Sequence, residues 1–481
     1  MALLLMPVLF FSCATYNSTM NTYYSSVREH NYDKAIKKLE GNKFIKRSRN
    51  YLLYCLEMGR VYQLKGDAVQ SNIYLNQADD LMESARKSAK DIALGNLINP
   101  MMEAYRGEDF ELFMVHFYKA LNYAALGQTA EAVVEARRIG LATDRQSDKF
   151  NDKKGRYSKD AFALNLQGML YELSGDMNNA FIAYRNAADV YLLAGSSYYG
   201  VSMPAQLQQD LLRTASAMGF TDEQARYEKL FNTTLQHTGK PNGELILFLE
   251  EGRAPVKEEK NFFLTNAGVG GFNYVDQYGY NSTFPFDNNY YGISDSKLSS
   301  VRTLRVAMPV YQVAYNRKAG VLVNVNGSQF TPQLAQDINT VAVSTLKERF
   351  LQELANAAAR QLTKKLVEKG TEKAAEGFAR KKEKKSDKDN ASEAEKEEKR
   401  KKNEENARAA GEVAGLLMNL ANTITEKADT RNWQSLPAYI SYVRIPLAAG
   451  DNIVTINANG QSKTLKASAN KGLQMMAVTL D

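Results

Sequence analysis

The residue types best suited to chemistry are few and scattered. Three histidines, His30, His116 and His237, lie far apart, as do the two cysteines, Cys13 and Cys55. Neither set has the spacing of a zinc site or of a disulfide framework, so no metal and no cofactor is expected. There is no P-loop, dinucleotide-binding glycine pattern, HExxH or nucleophile elbow. Glu250–Glu251 and Glu258–Glu259 read as charges at strand ends. Paired carboxylates of the glycosidase kind meet only in the fold, and catalysis is not expected. One short constellation stands out. In DTRNWQSLPAYI (429–440), Asp429, Arg431 and Trp433 alternate along an extended segment and so share a face. Arg431 could stack on Trp433 and pair with Asp429. The segment reads as a lid with Trp433 and Leu436 buried, or as a recognition patch. Lys257, in the Gly252–Pro255–Lys257 turn, is expected in solvent.

Cys13 has a chemistry of its own. It ends the apolar run ALLLMPVLFFS (2–12). That run is too short to span a bilayer and resembles a signal-peptide h-region. The Ser12–Cys13 junction resembles a bacterial lipobox, with Cys13 as the lipid acceptor. No Lys or Arg precedes the run, and Phe10 stands where lipoboxes prefer Leu. The alternative is a secretory signal with an incidental cysteine. The following ATYNSTMN has no acidic cluster of the surface-export kind, so a periplasm-facing anchor is expected.

The elements that position these residues begin with one spacing used three times. Gly59, Tyr62, Gly66, Ser71, Leu75 and Ala78 form the first copy. Ala120, Tyr123, Gly127, Ala132, Ala136 and Ile139 repeat it, as do Gly168, Tyr171, Gly175, Ala180, Tyr184 and Ala187. This small–aromatic–glycine–small ladder is that of a tetratricopeptide helix pair. Small residues let two antiparallel helices approach, and glycine ends the first helix in a left-handed turn. A weaker pair is expected over about 204–234, an extra helix around 86–105 and a polar loop at 143–158. The inward positions of the first helices would be Leu53, Leu56, Arg60 and Gln63, then Phe117, Leu121 and Ala124, then Asn165, Met169 and Glu172. This mixed lining suits a protein or extended peptide held in a concave face.

Beyond residue 236 the period changes. Strands are predicted at 244–252, 261–266, 303–312 and 320–327, with a Gly/Asn/Tyr/Asp-rich loop over 267–300. Helical periodicity returns from about Pro332. The tract 378–408 is almost purely charged, with both signs interspersed, and reads as a solvated linker. Four short strands follow at 439–447, 452–458, 462–468 and 473–480, with Asn459–Gly460 a hairpin signal. The predicted class is therefore α+β. A signal peptide (1–13) precedes helical repeats (14–236), and a small β-sandwich is built from 243–330 and 429–481. A helical, charged insert (331–428) interrupts the sandwich. Of the 481 residues, 61 are basic and 54 acidic, a net charge of +7. That surplus is weak for the length, and no nucleic-acid partner is expected.

FELFMVHFYKALNYAALGQTAEAVVEARR (110–138), GELILFLEEGRAPVKEEK (243–260) and DTRNWQSLPAYI together resemble an uncharacterised family of bacterial tetratricopeptide-repeat lipoproteins. The resemblance spans nearly the whole chain. It implies an envelope-associated protein linked to small lipoproteins of the cell-wall synthase activator type. The expectation is a non-enzymatic scaffold, lipid-anchored on the periplasmic side of the outer membrane, with a protein or peptide partner in cell-wall or outer-membrane assembly. The rival expectation is a glycan- or peptidoglycan-binding or glycan-processing protein that uses a 273–291 loop.

Overall fold

The computed structural model describes residues 16–87, 100–150, 157–236 except 196, 241–383 and 427–480. Short gaps interrupt the fourth stretch at 268–269, 276–280, 288, 292, 294–302 and 318–319. Cys13 and the signal segment, His237, residues 88–99 of the extra helix, and 384–426 lie outside the described residues. The chain is mixed helix and sheet.

Among the described residues ten α-helices come first: α1 (Tyr16–Arg28), α2 (Tyr32–Gly41), α3 (Tyr51–Lys65), α4 (Ala68–Lys87), α5 (Asp109–Ala125), α6 (Thr129–Phe150), α7 (Ala161–Leu173), α8 (Met177–Ala194), α9 (Ala205–Ala217) and α10 (Thr221–Phe231). The repeated spacing explains the pairs α3/α4, α5/α6 and α7/α8. Its first position packs on its fifth. A Cβ on Gly59 would lie 2.6 Å from Leu75, and one on Gly168 would run into the Tyr184 ring. In the first copy the fourth position also ties the helices, as Ser71 Oγ donates to the Gly59 carbonyl at 2.7 Å. Gly175 sits at φ +81°, a left-handed turn that a side chain resists. Asp176 then caps α8, its carboxylate accepting from the Asn179 N–H at 3.0 Å. The polar stretch after 143 does not form a loop at once, because α6 runs on to Phe150.

The strands are β1 (Gly243–Glu251), β2 (Val256–Asn266), β3 (Gly271–Val275), β4 (Asn281–Pro285), β5 (Thr303–Gln312), β6 (Leu322–Val325), β7 (Ser328–Phe330), β8 (Gln333–Asp337), β9 (Tyr439–Leu447), β10 (Asp451–Ala458), β11 (Gln461–Ser468) and β12 (Leu473–Leu480). Helix α11 (Ile338–Glu383) follows β8. Among the described residues the strands form three four-stranded sheets, ordered β12-β1-β9-β8, β11-β10-β6-β7 and β4-β3-β2-β5. β1 is antiparallel to β9 and parallel to β12, so segments some 200 residues apart share one sheet. Asn459 and Gly460 (φ +53° and +77°) make the β10–β11 turn, as Asn–Gly between apolar runs leads one to expect.

β1 is buried along most of its length because both its faces are covered. Ile246 and Phe248 face the helices, in one core with Tyr442 and Met475. Leu245, Leu247 and Leu249 face the second sheet, in a core with Val443, Ile445, Val454 and Ile456. Two expectations need correction. The long loop over 267–300 contains the β3–β4 hairpin, whose Phe272 and Phe284 are buried. The insert is not a mere excursion: β8 lies inside it, and Leu354, Ala357, Ala358 and Leu362 of α11 close a core on the third sheet.

Candidate functional site

The face expected to hold a partner is occupied by the chain's own first sheet. Leu53, Leu56 and Met169 are fully buried, and Leu121 nearly so. Phe117 meets the Phe248 ring edge-on at 5.3 Å. Arg60 donates to Glu250 Oε2 at 2.7 Å and to the Ser435 carbonyl, and also contacts Gln63. Asn165 donates to Tyr442 Oη at 3.2 Å. Glu172 accepts from Arg444 at 2.7 Å and from Arg213 at 2.6 Å. Arg444 and Arg213 hold the Glu172 carboxyl down to about 2 against the opposing effect of burial. The polar members of that lining, Arg60, Asn165 and Glu172, are therefore matched to β1, β9 and the 432–436 segment. The groove is closed by the chain itself.

Two other readings are corrected by the same interface. Glu250 and Glu251 are not exposed strand-end charges but are 1% and 2% accessible. Glu250 accepts from Tyr118 Oη as well as Arg60. Lys257 is buried, paired with Glu108 and lying 5.4 Å from the Tyr311 ring centre. Sequence reasoning missed these because the ion-pair partners of Glu250 and Lys257 lie more than a hundred residues away.

Residues 428–438 form a strap across the junction of helices and sheets. Trp433 and Leu436 are fully buried. The Trp433 N–H donates to Glu111 Oε1 at 2.8 Å, and the Gln434 N–H donates to Glu57 Oε1 at 3.2 Å. Arg431 pairs with Asp429 through two bonds of 2.7 and 2.8 Å. Its remaining donors go to the carbonyls of Arg49, Pro100 and Glu103 and to Asn50 Oδ1. It lies over Tyr105 and not over Trp433, whose ring meets Tyr118 at 5.9 Å. A guanidinium with every donor directed inside the fold has none to offer a partner. The Asp429–Arg431–Trp433 set is a clasp, not an exposed recognition patch.

The clasp borders a cavity of about 280 Å³. Its walls come from the 100–108 connection, β2, β5, α11 and the start of the strap. Arg349, Glu353, Asn356 and Arg360 recur at helical spacing and line one side. Lys257 and Glu108 come from the other walls, and Glu108 accepts from Lys257 and, at 2.6 Å, from Arg349. Burial raises the Glu108 carboxyl, but Arg349 and Lys257 outweigh it and hold the group at about 2. Neighbouring Glu111 is pushed the other way, to about 7, by burial and by Glu108.

A second cluster lies between α4, α5 and α6. Asp79, His116 and Glu135 place ligand atoms within 4.8 Å of one another. Lys119 Nζ already sits among them, 2.8 Å from Asp79 and 2.9 Å from Glu135, and Arg138 adds a contact to Asp79. The ammonium holds the place of a cation, so the cluster reads as a buried ion network.

No family model and no curated protein matches this chain. Among solved structures, one described as the crystal structure of MamA is 14% identical, at a TM-score of 0.27, over 43% of this chain and 90% of that one. A second, the crystal structure of MamA protein, is also 14% identical at 0.27, over 46% and 96%. Among the described residues, no helix is long and apolar enough to cross a membrane.

Proposed function

We propose that the chain is an envelope lipoprotein, anchored through Cys13 on the periplasmic side of the outer membrane, that acts by protein contact and not by catalysis. In this reading its helices are repeats of the tetratricopeptide kind, used as a cradle for the chain's own β-sheets. The carrying observation is the filled inner face, which leaves partner contact to the outer one. Support comes from where the exposed aliphatic side chains fall. The second helix of each pair exposes at least one: Val69 and Ile73 on α4, Val134 and Leu141 on α6, Leu193 on α8 and Leu230 on α10. Leu193 is 85% exposed. Exposed aliphatics spread over successive helices are what a protein-binding surface needs.

The test is a photo-activatable residue placed at Ile73, Leu141 or Leu193 in intact cells, with Met169 as the buried control. Adducts from Ile73 or Leu141 that are lost in a Leu193→Glu background support the reading. Adducts from Met169 alone, or from none of the sites, sink it.

One observation favours a glycan reading. Tyr290 is 73% exposed, and Tyr291 beside it stacks on Phe286 at 5.0 Å. Deleting 273–291 would also remove the buried Phe284 and Phe286, so the cleaner variant is Tyr290→Ala. Loss of binding to isolated peptidoglycan in that variant, with the fold intact, would favour this reading over the first.

A further inference from the structure

We infer that the junction cavity is a binding site for a small zwitterion of the amino-acid or dipeptide class. The inference concerns a different surface from the outer helices and does not depend on them. The cavity is walled by charges of both signs. Lys257 from β2 and Arg349 and Arg360 from α11 supply cations, while Glu103, Glu353 and Asp429 supply carboxylates. Several donors there are committed only in part. Arg349 uses Nε on Glu353 and Nη2 on Glu108, which leaves Nη1 undirected among the described residues. Asn356 accepts from Tyr291 Oη at 2.7 Å and has its amide N–H groups undirected in the same sense. The Tyr311 hydroxyl, behind Lys257 and outside the cavity wall, has no hydrogen-bond partner among the described residues. Arg349 and Asn356 are half-buried on the cavity wall, so their remaining donors are open to a ligand.

The charge pattern selects the class of ligand. A bare anion would meet Glu108, which stays ionised at neutral pH, together with Glu353 and Asp429. A bare cation would meet Lys257, Arg349 and Arg360. A molecule carrying both charges can set a carboxylate against the guanidinium and ammonium donors and an ammonium against the Glu103 and Glu353 carboxylates. Ala307, Met308 and Pro309 supply aliphatic wall for its body. The volume matches roughly nine waters, the room for an amino acid or a dipeptide.

The experiment titrates the full chain with L-alanyl-L-alanine, and separately with free L-alanine, by calorimetry. Saturable binding of one equivalent with a Kd below about 1 mM is expected for at least one of them. N-acetylation and C-terminal amidation should each weaken it about tenfold or more, since each removes one charge. Acetate and ethylammonium should not compete. Arg349→Gln should weaken binding to a similar degree. Because that change also touches Glu108, Asn356→Leu serves as a second variant that adds bulk to the wall and leaves the ion pairs alone. No saturable heat with either ligand, equal affinity for the capped forms, or binding unchanged in both variants overturns the proposal.

Discussion

Arg60 and Glu250, 190 positions apart, meet at 2.7 Å with both side chains out of solvent. The pair joins the first helix of a repeat to the central strand of the sheet that fills the groove. Tyr118 and Thr479 complete the Glu250 carboxylate at 2.7 and 3.0 Å. Removing one partner of such a pair strands a buried charge. Arg60→Met is therefore expected to cost about 3–5 kcal/mol. Arg60→Met with Glu250→Leu should recover part of that loss, because the uncompensated charge is gone. Urea melts of the single and double variants decide it. A double variant no more stable than the single would mean that hydrogen bonding, and not charge, dominates the site.

Gly168 faces the Tyr184 ring so closely that even a methyl group has no room. Gly168→Ala should cost about 1–3 kcal/mol through overpacking. Lys257→Ala leaves Glu108 buried with Arg349 as its remaining cationic partner, at a cost of about 3 kcal/mol. The two variants should therefore melt at similarly lowered temperatures. A Lys257→Ala protein as stable as the wild type would return that side chain to solvent, where the sequence had suggested it lay.

The contrast between these two residues shows what could be read in advance. Gly168 belongs to a local pattern: its contact, Tyr184, lies sixteen positions on, one helix hairpin away. Such spacings repeat, and repetition makes them visible. The Asn459–Gly460 turn is legible for the same reason, since its geometry is set by neighbouring residues. Lys257, Glu250 and Arg444 depend on partners brought together only when sheet and helices dock. In the sequence they look like ordinary surface charges. What covers the residues of α3, α5 and α7 is a non-local fact. The strands of 439–480 were visible, whereas their pairing with β1 and β6 required the topology.

Glu108 and Glu111 share a turn of helix but respond oppositely to pH. Burial and Glu108 raise Glu111 to about 7, from an ordinary 4.5, and bonds from Tyr105, Trp433 and Glu108 oppose the rise. Its folded state thus binds a proton more tightly than the unfolded chain. Its contribution is present below about pH 4.5 and is lost as pH rises toward 7. At ~1.4 kcal/mol per unit, that is about 3 kcal/mol. Glu108, held at about 2, contributes above pH 4.5 and loses its contribution as pH falls toward 2. Denaturant melts from pH 3 to 8 should show a component that falls between pH 5 and 7 and is missing in Glu111→Gln. An identical slope in that variant would assign the fall to another group.

The second β segment should be unable to fold alone. β9 and β12 do not pair with each other, because β1 lies between them and bonds to both. β10 bonds to β11 on one side and to β6 on the other. A 439–480 fragment would keep only the β10–β11 hairpin, and an isolated hairpin is marginal in water. It would also expose Ile440 and Tyr442 of the helix-facing side and Val443, Ile445 and Leu447 of the other, all buried in the intact chain. Unpaired edges with apolar faces aggregate. The charged tract from 384 onward lies outside the described residues and is expected to be dispensable: a Gly/Ser linker replacing 384–408 should leave the melting temperature unchanged within a few degrees. The fragment should give a collapsed NMR spectrum or precipitate, and adding a separately expressed 14–383 chain should rescue its dispersion. A well-dispersed spectrum from the fragment alone would mean that β9 and β12 find a pairing without β1, and that the shared sheet is not what holds the two halves together.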